Sequence, residues 1–400
     1  MQPPVASPID RLSLVHGFLG LFRANHYGSL LDDDLKAYFG VGYVFKVSSG
    51  KAALALILRA LRRLAPDKRE VVIPAYTCFS VPSAVVKARL TPVPCDIDRS
   101  TFDYDLGMLS HCIGERTLCV VSCHLFGMAS NVQTVRTMCS ERDVFVVEDA
   151  AQAMGVEIEG TKLGTHGDVG FFSLGRGKNI TCGSGGILLT NSDRIAAQLA
   201  DQYLSLASPG FFENIRAYLQ VLLQKVFIHP LLFWLPAGIP QLGIGETLFF
   251  EDFPMKRLSG MAAGLLWNWR ERLDRVNEGR RETARFFAEQ LHVRTCRKHS
   301  VPYLRFPFLT ASRNQKEMLM SLPQSRSLGL SPMYPTGVNA IQQLKGILQG
   351  KTYPVARDVA ERLVTIPTHY LLSNEDKVSI CKLIKTVLSD SQRLMPNKDD

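Results

Sequence analysis

From Val144 to Thr190 the chain reads VFVVEDAAQAMGVEIEGTKLGTHGDVGFFSLGRGKNITCGSGGILLT. A β-branched run ends here in two carboxylates, Glu148 and Asp149, and the C-terminal end of a parallel strand is where α/β folds bind ligands. Farther on, Ser173 and Lys178 flank a glycine-rich turn, SLGRGK. A lysine in a constrained polar pocket can lose its proton and attack a carbonyl, forming a Schiff base. An Asp, a hydroxyl, a Lys and flexible glycines together meet the needs of pyridoxal 5′-phosphate (PLP). The carboxylate keeps the ring nitrogen protonated, the lysine holds the aldehyde, and hydroxyls and backbone amides take the phosphate. Each residue alone has a plainer reading: Asp149 as a helix cap, Lys178 as a solvated turn residue, Ser173 as a turn hydroxyl. Order and spacing together argue for the chemistry. His124, at the end of LCVVSCH, reads equally well as a core or an active-site histidine.

The elements that must position these groups are legible as short apolar runs alternating with helical stretches. VVIPA (71–75), VPCDI (93–97), LCVVSCH (118–124) and VFVVEDA (144–150) have the composition of buried parallel strands. KAALALILRALRRL (51–64) and SAVVKARL (83–90) are the helices between them, and GFFSLG (170–175) with GGILLT (185–190) reads as a further pair of strands, close enough for a hairpin. The alternation predicts an α/β layered sheet with right-handed crossovers. After about residue 262 the pattern changes: 264–291 reads as one long helix, 303–309 as a strand, and 358–364 and 375–388 as helices. The expected organisation is a large α/β domain over 1–255 and a smaller α+β domain over 256–400.

Of 400 residues, 46% are hydrophobic and 21% charged, which excludes disorder, collagen and a small disulfide scaffold. The net charge is +9, unevenly placed: residues 1–255 carry 22 basic and 24 acidic side chains, leaving 24 and 13 for 256–400. A basic C-terminal half suits an anionic substrate. Nucleic acid is not expected, since no zinc finger, recognition helix or interleaved aromatic stripe accompanies the charge. The nine cysteines form no CxxC pair and no zinc pattern, so reduced cytoplasmic thiols and no metal are expected. The N-terminal MQPPVASPID does not read as a secretory signal. The most apolar stretch, 217–250, is interrupted by Gln224, Lys225, His229, Pro230, Pro236 and Pro240. It is expected to be core or subunit interface, with an interfacial membrane helix as the alternative.

The ordered motifs resemble those of the DegT/DnrJ/EryC1/StrS family of PLP-dependent sugar aminotransferases. They are EDAAQ (148–152), GDVGFFS (167–173), Lys178 and NITCGSGG (179–186), supported by VSSGKAAL (47–54), IPAYTC (73–78), PCDID (94–98), HLFG (124–127) and LVTIPTH (363–369). The resemblance implies the fold-type I, aspartate aminotransferase-like architecture, with a mostly parallel seven-stranded sheet between helices. It also implies roles. Lys178 forms the Schiff base and shuttles the proton, Asp149 pairs with the pyridine nitrogen, and Gln152 contacts the ring or its phenolic oxygen. Ser173 bonds the phosphate, the amides of Gly50, Lys51 and Ala52 meet it at a helix N-terminus, and Asn179 reaches it across a dimer interface.

Three departures from the family pattern stand out. Lys51 replaces a common Thr, Ser184 replaces the Glu of a GEGG turn, and Cys78 falls where an aromatic ring commonly stacks on the cofactor. Phe79, Tyr76 or His124 would have to compensate. The activity implied is transfer of an amino group, from glutamate, to a keto sugar that is nucleotide-activated, in polysaccharide, glycolipid or secondary-metabolite biosynthesis, by a cytoplasmic homodimer. Arg305, Arg176 and Tyr334 are further pocket candidates. The alternatives are a dehydratase-like PLP reaction, against which Lys178 argues because such relatives carry His there, and a non-catalytic homologue making peripheral membrane contact through 217–250.

Overall fold

The computed structural model describes residues 1–239, 243, 247–293 and 301–393. Two helices open the chain, α1 (Arg11–Gly20) and α2 (Ala24–Phe39), followed by β1 (Tyr43–Val47). The α/β alternation then runs α3 (Gly50–Leu64), β2 (Glu70–Pro74), α4 (Ser80–Lys87), β3 (Thr91–Cys95), α5 (Leu106–Cys112), β4 (Thr117–Cys123), α6 (Val132–Ser140) and β5 (Phe145–Asp149). A two-residue ribbon, β6 (Glu157–Ile158) and β7 (Thr161–Lys162), precedes β8 (Val169–Ser173) and β9 (Gly186–Thr190), and α7 (Asp193–Leu204) and α8 (Phe211–Phe227) complete this part.

The seven-stranded sheet has the order β1-β9-β8-β5-β4-β2-β3. The pairs β2–β3, β2–β4, β4–β5 and β5–β8 are parallel, whereas β8–β9 and β1–β9 are antiparallel, so the expected 170–190 pair is indeed antiparallel. The fold is the mostly parallel α/β class read from the sequence. Helix α3 is buried almost all round, from Ala52 to Leu61, because it packs under the sheet between α4 and α7. Its N-terminus therefore points at the same sheet edge as the ends of β4, β5 and β8.

The C-terminal part pairs β10 (Arg305–Leu309) with β11 (Leu363–Pro367) in an antiparallel ribbon, flanked by helices Arg313–Ser321, Pro354–Arg362 and Asn374–Arg393. Two expectations are corrected here. The single helix over 264–291 is two helices, Gly260–Leu265 and Trp269–Gln290, because Asn268 takes φ 51°, a left-handed conformation that Asn tolerates. The helix expected over 358–364 ends at Arg362, where the β-branched LVTIP run turns into β11. The core also runs past residue 255: Met261, Leu265, Trp269 and Leu273 pack with Phe39 and Phe172 of the large unit.

The stretch 217–250 is not core. Among its described residues only Val221 and Phe233 are buried, while Pro240 and its neighbours at 241–242 and 244–246 lie outside the described residues.

Residues 1–9 run between the seven-stranded sheet and the C-terminal part of the chain. The Gln2 amide donates to the Ser327 carbonyl (2.7 Å), its side chain to Asp376 (2.8 Å), and buried His369 donates from Nε2 to the Pro3 carbonyl (2.7 Å). The Leu371 amide donates to His369 Nδ1, so the ring is held neutral. Burial lowers the His369 pKa to about 4. A folded-state value below the unfolded 6.5 means that the stabilisation is complete above about pH 6.5 and is lost as pH falls toward 4. Between pH 7 and pH 5 this group alone should remove about 2 kcal/mol. Guanidinium midpoints at the two pH values should differ by correspondingly less in His369→Gln than in the unsubstituted chain.

Candidate active site

Alternation along β5 sends its two terminal carboxylates to different environments. Glu148 is completely buried and accepts from His124 Nε2 (2.7 Å) and from the amides of Gly164 (2.6 Å), His166 (2.7 Å) and Gly167 (3.0 Å). Burial pushes its pKa up, but the His124 and glycine hydrogen bonds outweigh that and leave it lowered. Glu148 is thus a permanent anion that closes the 164–167 loop onto the strand.

Asp149 faces a cavity lined also by Gly50, Lys51, Cys78, His124, Gln152, Ser173 and Lys178. Its Oδ1 accepts from the Ala151 amide (3.0 Å) and its Oδ2 faces the Cys123 thiol (3.7 Å). Burial raises its pKa, opposed by the Ala151 hydrogen bond and by the Lys178 charge. Cys123 is raised well above its ordinary value, first by burial and then by Asp149, so it stays a thiol and a donor. Across the cavity, burial lowers the pKa of Lys178, while the charges of Cys78 and Asp149 act the other way. The Lys178 backbone carbonyl accepts from the Ser7 hydroxyl and from Arg280 Nη2 (3.2 Å).

At the other end of the cavity, Ser49 caps α3 by accepting from the Ala52 amide (3.2 Å). The amides of Gly50 and Lys51, at the head of the helix, have no intrahelical acceptor. A Cβ on Gly50 would lie 2.7 Å from the Ser173 Cβ, so only glycine lets this hydroxyl lie against the helix terminus. Together they form an anion cradle. Burial lowers the pKa of Lys51, whose ammonium lies 4.5 Å from the Phe250 ring centroid.

Several sequence expectations change on this geometry. Asn179 is not among the residues lining the cavity: it is buried and donates to Asn277 Oδ1 (3.0 Å) on helix Trp269–Gln290. Ala52 is buried, with its amide taken by Ser49. Ser184 is exposed and donates to the Ser48 carbonyl (2.7 Å), outside the cavity lining. Of the three replacements for a ring at Cys78, Tyr76 donates to the Met333 carbonyl (2.6 Å) and Phe79 packs in the core. Only His124 lines the cavity. Its Nδ1 accepts from the Ser130 amide (3.0 Å), so the neutral ring donates from Nε2 to Glu148.

Gln152 accepts from the Phe126 amide (3.1 Å) and donates to the Tyr334 hydroxyl (3.0 Å), which brings Tyr334 to the site. Arg305 contributes to the lowered Lys178 pKa, whereas Arg176 is exposed. Thr77, Ser80 and Cys123 also line the cavity and were not singled out from the sequence. Thr77 lies within IPAYTC and Ser80 two residues beyond it, so that motif carried the signal; Ser7 had none.

The profile of the DegT/DnrJ/EryC1/StrS aminotransferase family matches residues 22–385. The chain belongs to this family. It is 24% identical to a GDP-perosamine synthase of Vibrio cholerae, over 90% of each chain. It is also 26% identical to a UDP-N-acetyl-3-dehydro-alpha-D-glucosamine 3-aminotransferase of Acidithiobacillus ferrooxidans, over 92% of this chain and 90% of the other. The fold matches Helicobacter pylori PseC, an aminotransferase involved in the biosynthesis of pseudoaminic acid. The TM-score is 0.76 at 17% identity, covering 96% of this chain and 98% of that one.

The chain is a PLP-dependent aminotransferase, and the cavity fits that cofactor on its own chemistry. It holds the desolvated amine of Lys178 facing the Asp149 carboxylate, and a glycine-gated anion cradle with Lys51 beside it. Gly50→Ala should therefore weaken PLP retention at least about tenfold, by crowding Ser173 off the cradle. Cofactor absorbance after gel filtration measures this, and unchanged retention would mean that the phosphate binds elsewhere.

Proposed function

We propose that this aminotransferase moves the amino group of glutamate to the ketone of a nucleotide-activated sugar, acting as a cytoplasmic homodimer. The observation that carries the reading is the pairing of the Lys178 amine and the Asp149 carboxylate in one cavity, each with its pKa shifted toward the neutral form. PLP, when bound, supplies an electron sink that stabilises negative charge on the carbon losing a proton.

The rest falls to the chain. Burial lowers the Lys178 pKa from the usual lysine value, so Nζ more readily sheds its proton and can take a proton from one carbon and return it to another. Asp149 holds the countercharge for a protonated ring nitrogen, and the Cys123 thiol and Ala151 amide fix its rotamer. Ser173 and the α3 terminus anchor the phosphate. His124, bonded through both nitrogens, to Glu148 and to the Ser130 amide, is a fixed wall of the cavity. Arg305, desolvated close to Lys178, suits the carboxylate of an amino donor.

Two observations support the sugar half of the reading. Both curated relatives carry nucleotide-linked or nucleotide-derived sugars in their names, and the basic surplus of residues 256–400 suits a diphosphate. We take 256–400 as the smaller unit, with 260–273 packed back on the larger. Among the described residues no helix is long and apolar enough to cross a membrane. The membrane contact we propose is peripheral, through the surface that includes 217–239.

Lys178→Ala should lower turnover about a thousandfold or more while leaving far-ultraviolet circular dichroism unchanged. Borohydride reduction should place the pyridoxyl mass on the Lys178 peptide. Added glutamate should shift the cofactor band of the unreduced enzyme, with release of 2-oxoglutarate. Full activity in the alanine variant, or no shift with any amino donor, would overturn the reading.

A further inference from the structure

Helix α1 packs inside out. Its fully buried positions are Ser13, Gly17 and Gly20, set so close to helix Gly260–Leu265 that a Cβ on Gly20 would lie 2.2 Å from the Gly260 carbonyl oxygen, with Leu14 and Leu19 half-buried against the core. Leu12, Val15 and Phe18, with Phe22 just past the helix end, recur every three or four positions and point to solvent. A solvent-facing helix ordinarily does the reverse.

Helix α8 lies beside it and does the same. Phe212, Leu219, Leu223 and Val226 follow helical spacing on an exposed face, Phe212 being 84% exposed. The two stripes are continuous. Phe18 lies 6.0 Å from Tyr218 and Phe22 lies 6.0 Å from Phe211, ring centroid to centroid, and the Tyr218 hydroxyl donates to the Leu14 carbonyl (3.0 Å). Leu231 and Trp234, beyond the end of α8, are exposed as well. Single exposed apolar residues are ordinary, but a contiguous aromatic and aliphatic face over two helices is not.

Charge decides what covers it. Arg11, Arg23 and Arg216 are exposed on the same helices or their ends, and none has an ion pair among the described residues. The nearby acids are engaged: Asp10 caps α1 through the Ser13 amide (2.6 Å), and Glu213 pairs with Lys256 (2.7 Å). A second copy related by a two-fold axis would set this face against itself, bringing unpaired arginines together with no free carboxylates to meet them. Anionic headgroups meet both requirements, since apolar side chains enter the acyl boundary and arginines take the phosphates.

We propose that the joint face of α1 and α8 seats this enzyme peripherally on an anionic lipid surface. The inference deepens the membrane-contact part of the functional reading but needs none of its chemistry, so vesicle binding and transamination can fail separately. The whole holoenzyme is floated with phosphatidylcholine vesicles containing about one part in three phosphatidylglycerol, and with pure phosphatidylcholine. The native chain should float with the anionic vesicles and mostly remain below with the neutral ones. Phe18→Glu/Phe22→Glu and Leu223→Glu/Val226→Glu should each lower the floating fraction at least tenfold. Because these side chains are already exposed, both variants should keep the PLP absorbance and circular dichroism of the parent. Arg11→Gln/Arg23→Gln/Arg216→Gln should remove the preference for anionic vesicles.

Failure of the native chain to float, or flotation of the glutamate variants equal to the parent, overturns the proposal. So does a drop in sedimentation mass in those variants, which would assign the face to a second copy of the chain.

Discussion

Desolvation of Lys178 is the constraint around which the rest of the site is built. An ammonium that loses water without gaining a carboxylate at contact distance gives up its proton more readily. The surroundings hold that condition without collapsing onto it. The backbone of Lys178 is fixed through its carbonyl, by Ser7 from the chain's start and Arg280 from the long helix, so the amine is positioned without being neutralised. Arg280 itself is so buried that its pKa is pushed down to about 9, and its Nη2 donates to the carbonyls of Ala6 and Lys178. A carboxylate there would make a cheaper ion pair but would place a negative charge near the amine, opposing the shift that the amine requires.

Two adjacent acids at the end of one strand show how environment divides labour between identical groups. Glu148 gathers three amides and an imidazole and is spent entirely on architecture. Asp149, one residue on, keeps only an amide and a thiol, and is left short of partners. A carboxylate with unmet hydrogen-bonding capacity in a desolvated cavity will bind a cationic nitrogen strongly. The neutral tautomer of His124 belongs to the same division: by donating to Glu148 it closes off one acid, and the other stays open.

Much of this was legible in the sequence because it depended on local order. The strand ends, the α3 terminus and the Asp149-to-Lys178 spacing all lie within segments whose period and turn residues are visible. What was not legible depended on distant partners. Asn179 follows Lys178 in sequence, yet its side chain turns away because Asn277, on another helix, offers a buried acceptor. The break at Asn268 is hidden in a stretch with unbroken helical periodicity. Just before it, Gly264 packs so closely on α1 that a Cβ there would meet the His16 carbonyl, a contact that periodicity does not show. The apolar stretch after residue 217 was readable as apolar but not as exposed, since hydropathy does not say which side of a helix is occupied.

The crossing of residues 1–9 has a consequence for the order of assembly. Pro3 is bonded to His369, a residue 366 positions later, while Ser7 secures the Lys178 loop. Residues 3–7 are therefore fully seated only once His369 is in place. Until the C-terminal unit has been made, the strap lacks its far anchor and the lysine loop lacks that restraint. Competence of the site is in this way tied to His369, and a product ending before that residue would carry every cofactor-binding residue with the strap held at one end only.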